Sequence, residues 1–274
     1  MLGQLYFSHH KQANDVIDLL LNGKKETFDL NVAPYDIIVL ANNQILTTNY
    51  NEKCLTIYDE NLELVKKVNR INNEIFGPIA IVLLPEEETF YILDCSNHRI
   101  LVTDSDFKFV KSFGSFGKSN NQFSHPYDLC FITNNDLCVC DYYNKRIQIY
   151  SKSLKFLKSL KIDFNPWKIK ASNSILFVQS INGICFYNLN DLSFVQSFNH
   201  GICRLSKIDS NIYEVNYKTK KLFCYDEKAN LKVEMNFTFN EENLKDSQDG
   251  AFVELNEKLY MISASRKKIF KLSK

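Results

Sequence analysis

The sequence predicts an all-β fold, a six-bladed β-propeller of four-stranded antiparallel blades. Three observations predict it. The polar signature Asp-x-x-Asn-x-Arg-Ile begins at Asp94 and again at Asp141, 47 positions later (141 − 94 = 47). Prolines recur at intervals of 44, 48 and 40 residues, at Pro34, Pro78, Pro126 and Pro166. The 21 Phe and 14 Tyr favour strands. A repeat of about this length suits a blade of four strands.

Residues 125–160 give the clearest copy of the repeat. They contain four short β-rich segments, DLCFI, LCVCD, RIQIY and KFLKSL, and the first two are joined by the turn TNND. Asn and Asp suit tight turns between antiparallel strands. This copy therefore predicts a blade whose four strands follow one another along the chain.

Further copies of the strand rhythm surround this one. They lie at 33–68, 77–114, 165–198 and 201–237, and a last copy at 249–274 lacks a fourth strand. We interpret DVIDLLL and ETFDLN near the amino terminus as a third and a fourth strand, so that the two ends share one blade. Pairing the ends would remove exposed sheet edges. The prediction is a single domain, 1–274, with six blades; a seven-bladed or incompletely closed ring is the alternative.

Composition sets limits on location and partners. The net charge of +1 gives no overall attraction to nucleic acid or anionic membrane. No apolar run reaches the length of a membrane span, and the amino terminus does not have the pattern of a signal peptide. The eight cysteines are expected to be reduced core thiols, because a chain of this length needs no disulfides and shows no secretion signal. The CVC at 138–140 is not expected to bind zinc, because no second ligand pair stands nearby at zinc-site spacing. We expect a cytoplasmic monomer with no membrane contact.

The polar signature is interpreted as architecture. Asp141 ends one strand and Arg146 begins the next, and the Arg guanidinium suits a carboxylate or several carbonyls. Asn144 lies in the turn between them and tolerates a left-handed backbone. Asp94, Asn97 and Arg99 are predicted to do the same one blade earlier. These residues should tie blade edges together.

Residues 113–160 resemble an NHL repeat. The matching positions are Gly114, Gly117, Gln122, Phe123, Pro126, Asp141, Asn144, Arg146 and Ile147, and the preceding copy matches at Asp94, Asn97, His98, Arg99 and Ile100. The resemblance implies a six-bladed propeller used as a binding platform. In tripartite-motif ubiquitin ligases this module forms the carboxyl-terminal part and holds protein or RNA. The sequence lacks a cysteine–histidine array like a RING or B-box, so it is not a complete ligase of that kind.

The distribution of histidines along the sequence argues against catalysis. Peptidyl-amidating lyases resemble this fold and use a histidine-bound metal, and a metal site needs three converging ligands. The chain has His9, His10, His98, His125 and His200, which the repeat spreads apart. No phosphate loop or nucleophile elbow is present. We therefore expect a non-enzymatic scaffold with no metal and no cofactor.

One face of the ring is predicted to bind the partner. Residues after the anchor prolines should gather around one mouth of the channel, and turns between second and third strands should ring it. The candidate residues are Tyr35, Tyr50, His98, Tyr127, Tyr142, Tyr143, Lys145 and Trp167. Tyr and Trp are frequent at interface hot spots, which favours a protein or peptide partner. The resemblance to tripartite-motif proteins implies substrate recognition in a ubiquitin-ligase context.

Single-stranded RNA is the alternative partner for the same face. Aromatic side chains could stack bases while cations hold phosphates. Residues 151–170 contain six Lys with interleaved aromatics. A solvated outer strand, with lysines that guard its edge, accounts for the same pattern.

Overall fold

The structure, a computed structural model, consists of antiparallel sheets in the part of the chain that it describes. That part comprises residues 24–30, 32–199, 204–208, 211–216, 219, 221–236, 252–255, 258–263 and 268–273. Its strands form six sheets of four strands each. No helix among these residues is long and apolar enough to cross a membrane.

The strands follow one another in chain order. The first is β1 (Lys24–Asp29). Blade 1 consists of β2 (Asp36–Val39), β3 (Ile45–Asn49), β4 (Cys54–Tyr58) and β5 (Leu64–Val68). Blade 2 consists of β6 (Pro78–Leu84), β7 (Thr89–Asp94), β8 (Arg99–Thr103) and β9 (Phe109–Phe113). Blade 3 consists of β10 (Pro126–Phe131), β11 (Leu137–Asp141), β12 (Arg146–Tyr150) and β13 (Phe156–Lys161).

The second half continues the same order. Blade 4 consists of β14 (Lys168–Ala171), β15 (Ile175–Ser180), β16 (Gly183–Asn188) and β17 (Phe194–Phe198). Blade 5 consists of β18 (Arg204–Ile208), β19 (Asn211–Asn216), β20 (Lys221–Tyr225) and β21 (Leu231–Asn236). The last strands are β22 (Phe252–Leu255), β23 (Lys258–Ser263) and β24 (Lys268–Ser273). Short 3₁₀ helices lie at Pro85–Glu87, Cys95–Asn97, Thr133–Asn135 and Tyr142–Asn144.

The sixth sheet differs from blades 1 to 5 because it is a composite. Its order is β1, β24, β23, β22, and β1 pairs antiparallel with β24 from Lys24 opposite Ser273 to Asp29 opposite Lys268. The innermost strands contact one another around the ring, β2 with β6, β6 with β10, β10 with β14, β14 with β18, β18 with β22 and β22 with β2. The described strands therefore close a ring around a central channel.

The predicted blade count is corrected by this arrangement. The described chain has five complete blades, each formed by one continuous run of four strands, while the remaining sheet draws on both ends. The predicted count of six blades is therefore corrected to five complete blades and one composite sheet, and seven blades or an open ring are wrong. The segment ETFDLN overlaps β1 at the outer edge of the composite sheet, whereas DVIDLLL lies outside the described residues.

The core lies between the blades. Strands β3, β4, β11 and β12 are buried along their whole length, whereas the outer strands β5 and β9 are largely exposed. Leu46 and Leu55 of blade 1 pack with Ile81 and Ile92 of blade 2 in one apolar cluster. Cysteines fill similar positions, and those described are free thiols: Cys54, Cys95, Cys130, Cys138, Cys140, Cys185 and Cys224. Cys203 lies outside the described residues.

Candidate functional site

The polar signature of blade 3 forms a buried hydrogen-bonded knot. The fully buried carboxylate of Asp141 accepts hydrogen bonds from Arg146 Nε at 2.7 Å and from Asn144 Nδ2 at 2.9 Å. Arg146 Nη2 also donates to the carbonyl oxygens of Ser119 and Gln122, both at 2.9 Å. The knot fastens the loop before blade 3 to the hairpin between β11 and β12, and so it fixes the turn that carries Tyr142.

Blade 2 repeats this knot of hydrogen bonds and adds one ion pair that is partly exposed. Asp94 accepts hydrogen bonds from Arg99 Nε at 2.9 Å, from Asn97 Nδ2 at 2.8 Å and from the Gly77 amide at 2.7 Å. Arg99 Nη2 also makes an ion pair with Glu74 at 2.6 Å. The carboxylate of Asp94 is buried while Glu74 is half exposed. The two knots place equivalent turns of blades 2 and 3 on the same end of the ring.

The left-handed backbone falls one residue later than the sequence suggested. Asn97 and Asn144 end the short 3₁₀ helices, and the residues with positive φ are His98, at 54°, and Lys145, at 50°. The amide of His98 closes the turn on the carbonyl of Cys95, and the amide of Lys145 closes the other turn in the same way. Each Asn side chain is held by its Asp carboxylate, so the following residue has to reverse the chain.

Four aromatic rings from blades 3 and 4 meet at this end of the channel, and we call them the aromatic mouth: Tyr127, Tyr142, Tyr143 and Trp167. The ring centroid of Tyr127 lies 4.7 Å from that of Tyr142 and 5.2 Å from that of Trp167. Tyr142 lies 5.0 Å from Tyr143. Tyr143 is exposed and the other three are half-buried. The mouth is thus a continuous aromatic surface with one open side.

Tyr35 and Tyr50 of blade 1 extend the aromatic surface. Their rings are 5.8 Å apart, and Lys53 Nζ lies 4.0 Å above the ring of Tyr50. Both tyrosines pack against the apolar cluster that also holds Tyr127. Burial raises the pKa of Tyr127, and its neighbours, including Tyr35, add to the rise. The phenol of Tyr127 therefore stays protonated and can act as a hydrogen-bond donor.

Two histidines stand at the edge of the mouth, and we call His98 and His125 the histidine pair. Their ring centroids are 4.6 Å apart, and the backbone amide of His125 donates to His98 Nδ1 at 3.1 Å. Tyr143 lies 4.9 Å from His125 and Phe116 lies 4.9 Å from His98. Burial lowers the pKa of His98 and repulsion by His125 adds to this, although Asp94 and Asp141 oppose it.

The predicted site residues are thus mostly gathered on one end of the ring. Lys145 follows the turn that carries Tyr142 and Tyr143, but its side chain is exposed and its Nζ donates to the carbonyl of Asp163 at 3.4 Å. Sequence reasoning assigned His125 and Phe116 no place in the site. The signal for His125 was its position directly before an anchor proline. His9, His10 and His200 lie outside the described residues.

Sequence reasoning also missed a blade-to-blade tie. The tripeptide Pro-Tyr-Asp occurs at 34–36 and at 126–128. Asp36 Oδ2 accepts the amide of Ile81 in blade 2 at 3.1 Å, and Asp128 Oδ2 accepts the amide of Ile169 in blade 4 at 2.9 Å. Each buried carboxylate therefore joins its innermost strand to that of the next blade.

The lysine-rich stretch 151–170 does not form one surface. Lys155, Lys158 and Lys161 lie at or on the outer strand β13, where Lys158 Nζ donates to the carbonyl of Leu189 at 3.2 Å. Lys168 is on the innermost strand β14 and is buried. The stretch therefore cannot present its cations together to a nucleic acid strand. Among the described residues, no three His, Cys, Asp or Glu converge as metal ligands.

The described chain is a β-propeller with an NHL-type repeat. The family model described as "NHL repeat" matches residues 123–150, which lie in and just before blade 3. The comparison with curated proteins gives no match.

Solved structures that share this fold include two lyases and a protein of unknown function. Catalytically inactive virginiamycin B lyase from Staphylococcus aureus, a histidine-to-alanine variant with quinupristin, has a TM-score of 0.69 and 12% identity, over 92% of this chain and 99% of that chain. A streptogramin B lyase has a TM-score of 0.64 and 12% identity, over 92% of this chain and 87% of that chain. A protein of unknown function from Bacteroides caccae has a TM-score of 0.56 and 12% identity, over 74% of this chain and 81% of that chain.

These neighbours overturn the prediction about function. At this level of identity the likeness establishes a shared fold, and the fold is one that enzymes use. The expectation of a non-enzymatic scaffold is therefore corrected, because it rested on the scattered histidines and on missing catalytic motifs, whereas enzymes also use this fold. The expected links to tripartite-motif ligases and ubiquitination, and the cytoplasmic location, find no support in these comparisons.

Proposed function

We propose that this chain is a lyase that binds a quinupristin-like ligand on its aromatic mouth. The observation that carries the proposal is the histidine pair beside that mouth, with the rings of His125 and Tyr143 4.9 Å apart. Aromatic rings supply apolar contact area and imidazoles transfer protons near neutral pH. The proposal draws its reaction class and ligand from the names of the solved structures that share the fold.

The histidine pair supplies two different groups. His98 accepts the His125 amide on Nδ1, so the neutral imidazole carries its proton on Nε2. The lowered pKa keeps His98 neutral, and its Nε2–H is a donor for a leaving group. His125 is the proton acceptor in this proposal. It takes a proton from carbon, the C–H electron pair forms a double bond, and the leaving group departs with its bonding pair and a proton from His98.

One feature of a solved neighbour supports a histidine in this role. The virginiamycin B lyase that contains quinupristin is inactive after a histidine was replaced by alanine. In the described part of the present chain, the histidines that stand at the mouth of the propeller are His98 and His125. The resemblance to tripartite-motif propellers rests on two repeats of the sequence, whereas the lyases match over most of the chain. The proposal follows the larger likeness.

Binding can be measured by the fluorescence of Trp167, which is the only tryptophan of the chain and lies in the mouth. Quinupristin should change this fluorescence in a saturable way, and Tyr142→Ala should weaken binding about tenfold, as expected for an aromatic hot spot. Phe194→Ala is the matched control, because Phe194 is an exposed ring on the outer strand of blade 4.

Turnover is followed by the mass of the product. A lyase product retains every atom of the substrate, whereas hydrolysis adds water. Wild type and Phe194→Ala should convert quinupristin without added water, and His98→Asn should lose most of the rate, with binding kept. Conversion with added water, or binding that Tyr142→Ala leaves unchanged, would overturn the proposal.

A further inference from the structure

Two lysines lie on the innermost strand of blade 4, which borders the central channel. Lys168 and Lys170 are two residues apart on β14, so their side chains leave the same face of the strand. Lys168 has 10% and Lys170 19% of the side chain exposed. Buried lysines normally have a carboxylate partner, because a desolvated ammonium is costly.

The carboxylate between these lysines does not satisfy them. Lys168 Nζ lies 3.8 Å from Asp128 Oδ1, and Lys170 Nζ lies 3.6 Å from Asp128 Oδ2. Both distances exceed the range of a charge-assisted hydrogen bond. Asp128 is fully buried, its Oδ2 accepts the Ile169 amide at 2.9 Å, and its Oδ1 has no hydrogen-bond partner among the described residues. Among the described residues, neither ammonium group donates a hydrogen bond, and the nearest anion of both is Asp128.

The charges around the channel do not balance with Asp128 alone. Asp36 of blade 1 also attracts Lys168 and Lys170. Burial nevertheless raises the pKa of Asp36, against the attraction of the two lysines. Burial disfavours the charge on Lys170, yet Asp128 and Asp36 outweigh it and raise the pKa of Lys170. Lys170 therefore remains an ammonium while the charged form of Asp36 is disfavoured.

Lys207 adds a third cation from blade 5. It stands on β18, the next innermost strand, and its side chain is exposed. Desolvation lowers the pKa of Lys207, and repulsion by Lys170 contributes, against the attraction of Cys130 and Glu227. Strands β14 and β18 are in contact, so the two lysines lie on neighbouring innermost strands. A negative group between them would remove that repulsion.

We propose that the central channel binds an oxyanion, a carboxylate or phosphate group, between Lys168, Lys170 and Lys207. Its oxygens would accept the hydrogen bonds that Asp128 does not take, and its charge would offset the excess of cations. Lysine is a common partner of phosphate as a point charge. This site does not depend on the proposed lyase activity, because it uses none of the residues of the aromatic mouth or of the histidine pair.

Inorganic phosphate and acetate are the probes. Each is titrated into the whole protein at constant ionic strength set with chloride, and heat of binding and thermal unfolding are recorded. We expect a saturable rise in Tm with at least one probe, because a ligand that binds the folded state stabilises it. Lys170→Met should weaken that binding about tenfold, the loss of one charge-assisted contact. Lys155→Met is the control, because Lys155 is exposed and lies just before the outer strand β13.

One further variant keeps the result decisive. If Lys170→Met does not fold, Lys207→Met gives the same test at an exposed position. A response to phosphate alone assigns a phosphoryl group, and a response to acetate alone assigns a carboxylate; either supports the site. No saturable response to either probe, or equal responses of wild type and both channel variants, would overturn it.

Discussion

At the scale of the residue, the Asp141–Arg146 pair shows how a buried charge is made tolerable. Asp141 is fully buried, and it accepts hydrogen bonds from Arg146, Asn144, Gln148 and the amide of Ser124. A buried carboxylate of this kind is stable only while all its donors remain. The pair therefore behaves as one structural unit with the loop that it fastens.

Arg146→Ala should lower the free energy of unfolding by about 3 kcal/mol, because it leaves Asp141 charged and buried without its main cation. Urea unfolding measures the change. Lys108→Ala is the control, since Lys108 and Asp106 form an exposed ion pair, and it should leave the free energy of unfolding nearly unchanged. An equal effect of the two substitutions would show that the knot contributes nothing beyond a surface pair.

His98 predicts a dependence of stability on pH. Its pKa is lowered in the folded state from the ordinary 6.5. The unfolded chain then binds the proton more readily, so this group destabilises the protein as the pH falls below about 6.5 and has no effect well above it. His98→Asn keeps a residue that tolerates the positive φ. Stability should therefore rise more steeply between about pH 5 and pH 8 in wild type than in His98→Asn. Parallel curves would contradict the assignment.

At the scale of the element, the innermost strands are joined by the two Pro-Tyr-Asp segments. Asp36 and Asp128 accept equivalent amides in the next blade. An Asn at either position keeps an acceptor oxygen and removes the charge. Asp128→Asn should cost about 2 kcal/mol, because Lys168 and Lys170 lose their nearest anion.

Asp36→Asn serves as the matched substitution. It should cost less than Asp128→Asn, because burial already disfavours the charged form of Asp36. Chemical unfolding of the two variants, side by side, measures the difference. A larger loss for Asp36→Asn would mean that the channel charges are balanced by Asp36 and not by Asp128.

The strands could be predicted from sequence where turns and apolar rhythm agree. In blade 3 the segments LCVCD and RIQIY coincide with β11 and β12. The Asp128 tie was missed because a single Asp next to a strand has no local mark of its partner, which lies 41 residues later. His125 was missed for the same reason, since His98 and His125 come from successive blades and meet only when those blades pack side by side.

At the scale of the whole molecule, the ring is closed through the composite sheet. The pairing of β1 with β24 covers a strand edge that would otherwise be open. Thr27→Pro should destabilise the fold by about 3 kcal/mol and promote self-association, because Pro disturbs the pairing of β1 with β24 where Thr27 lies opposite Phe270. Thr27→Val is the control that keeps the strand. Unchanged unfolding and a single monomeric peak in size exclusion for Thr27→Pro would contradict this role.

The whole-molecule account of function was the least predictable part. The sequence pattern carries the blade architecture, and both binding platforms and lyases use that architecture, so a repeat signature cannot decide between them. The decision depends on side chains such as His125 and Tyr143, which the fold brings within 4.9 Å.

The central claim is that the aromatic mouth and the histidine pair form one catalytic site. The most direct test is the rate of quinupristin conversion, measured by mass spectrometry beside the Trp167 fluorescence titration, in wild type, His98→Asn and Phe194→Ala. The account predicts a product without added water in wild type and Phe194→Ala, and a loss of rate with retained binding in His98→Asn. Wild type that neither binds nor converts quinupristin, or His98→Asn that converts it at the rate of wild type, would contradict the claim.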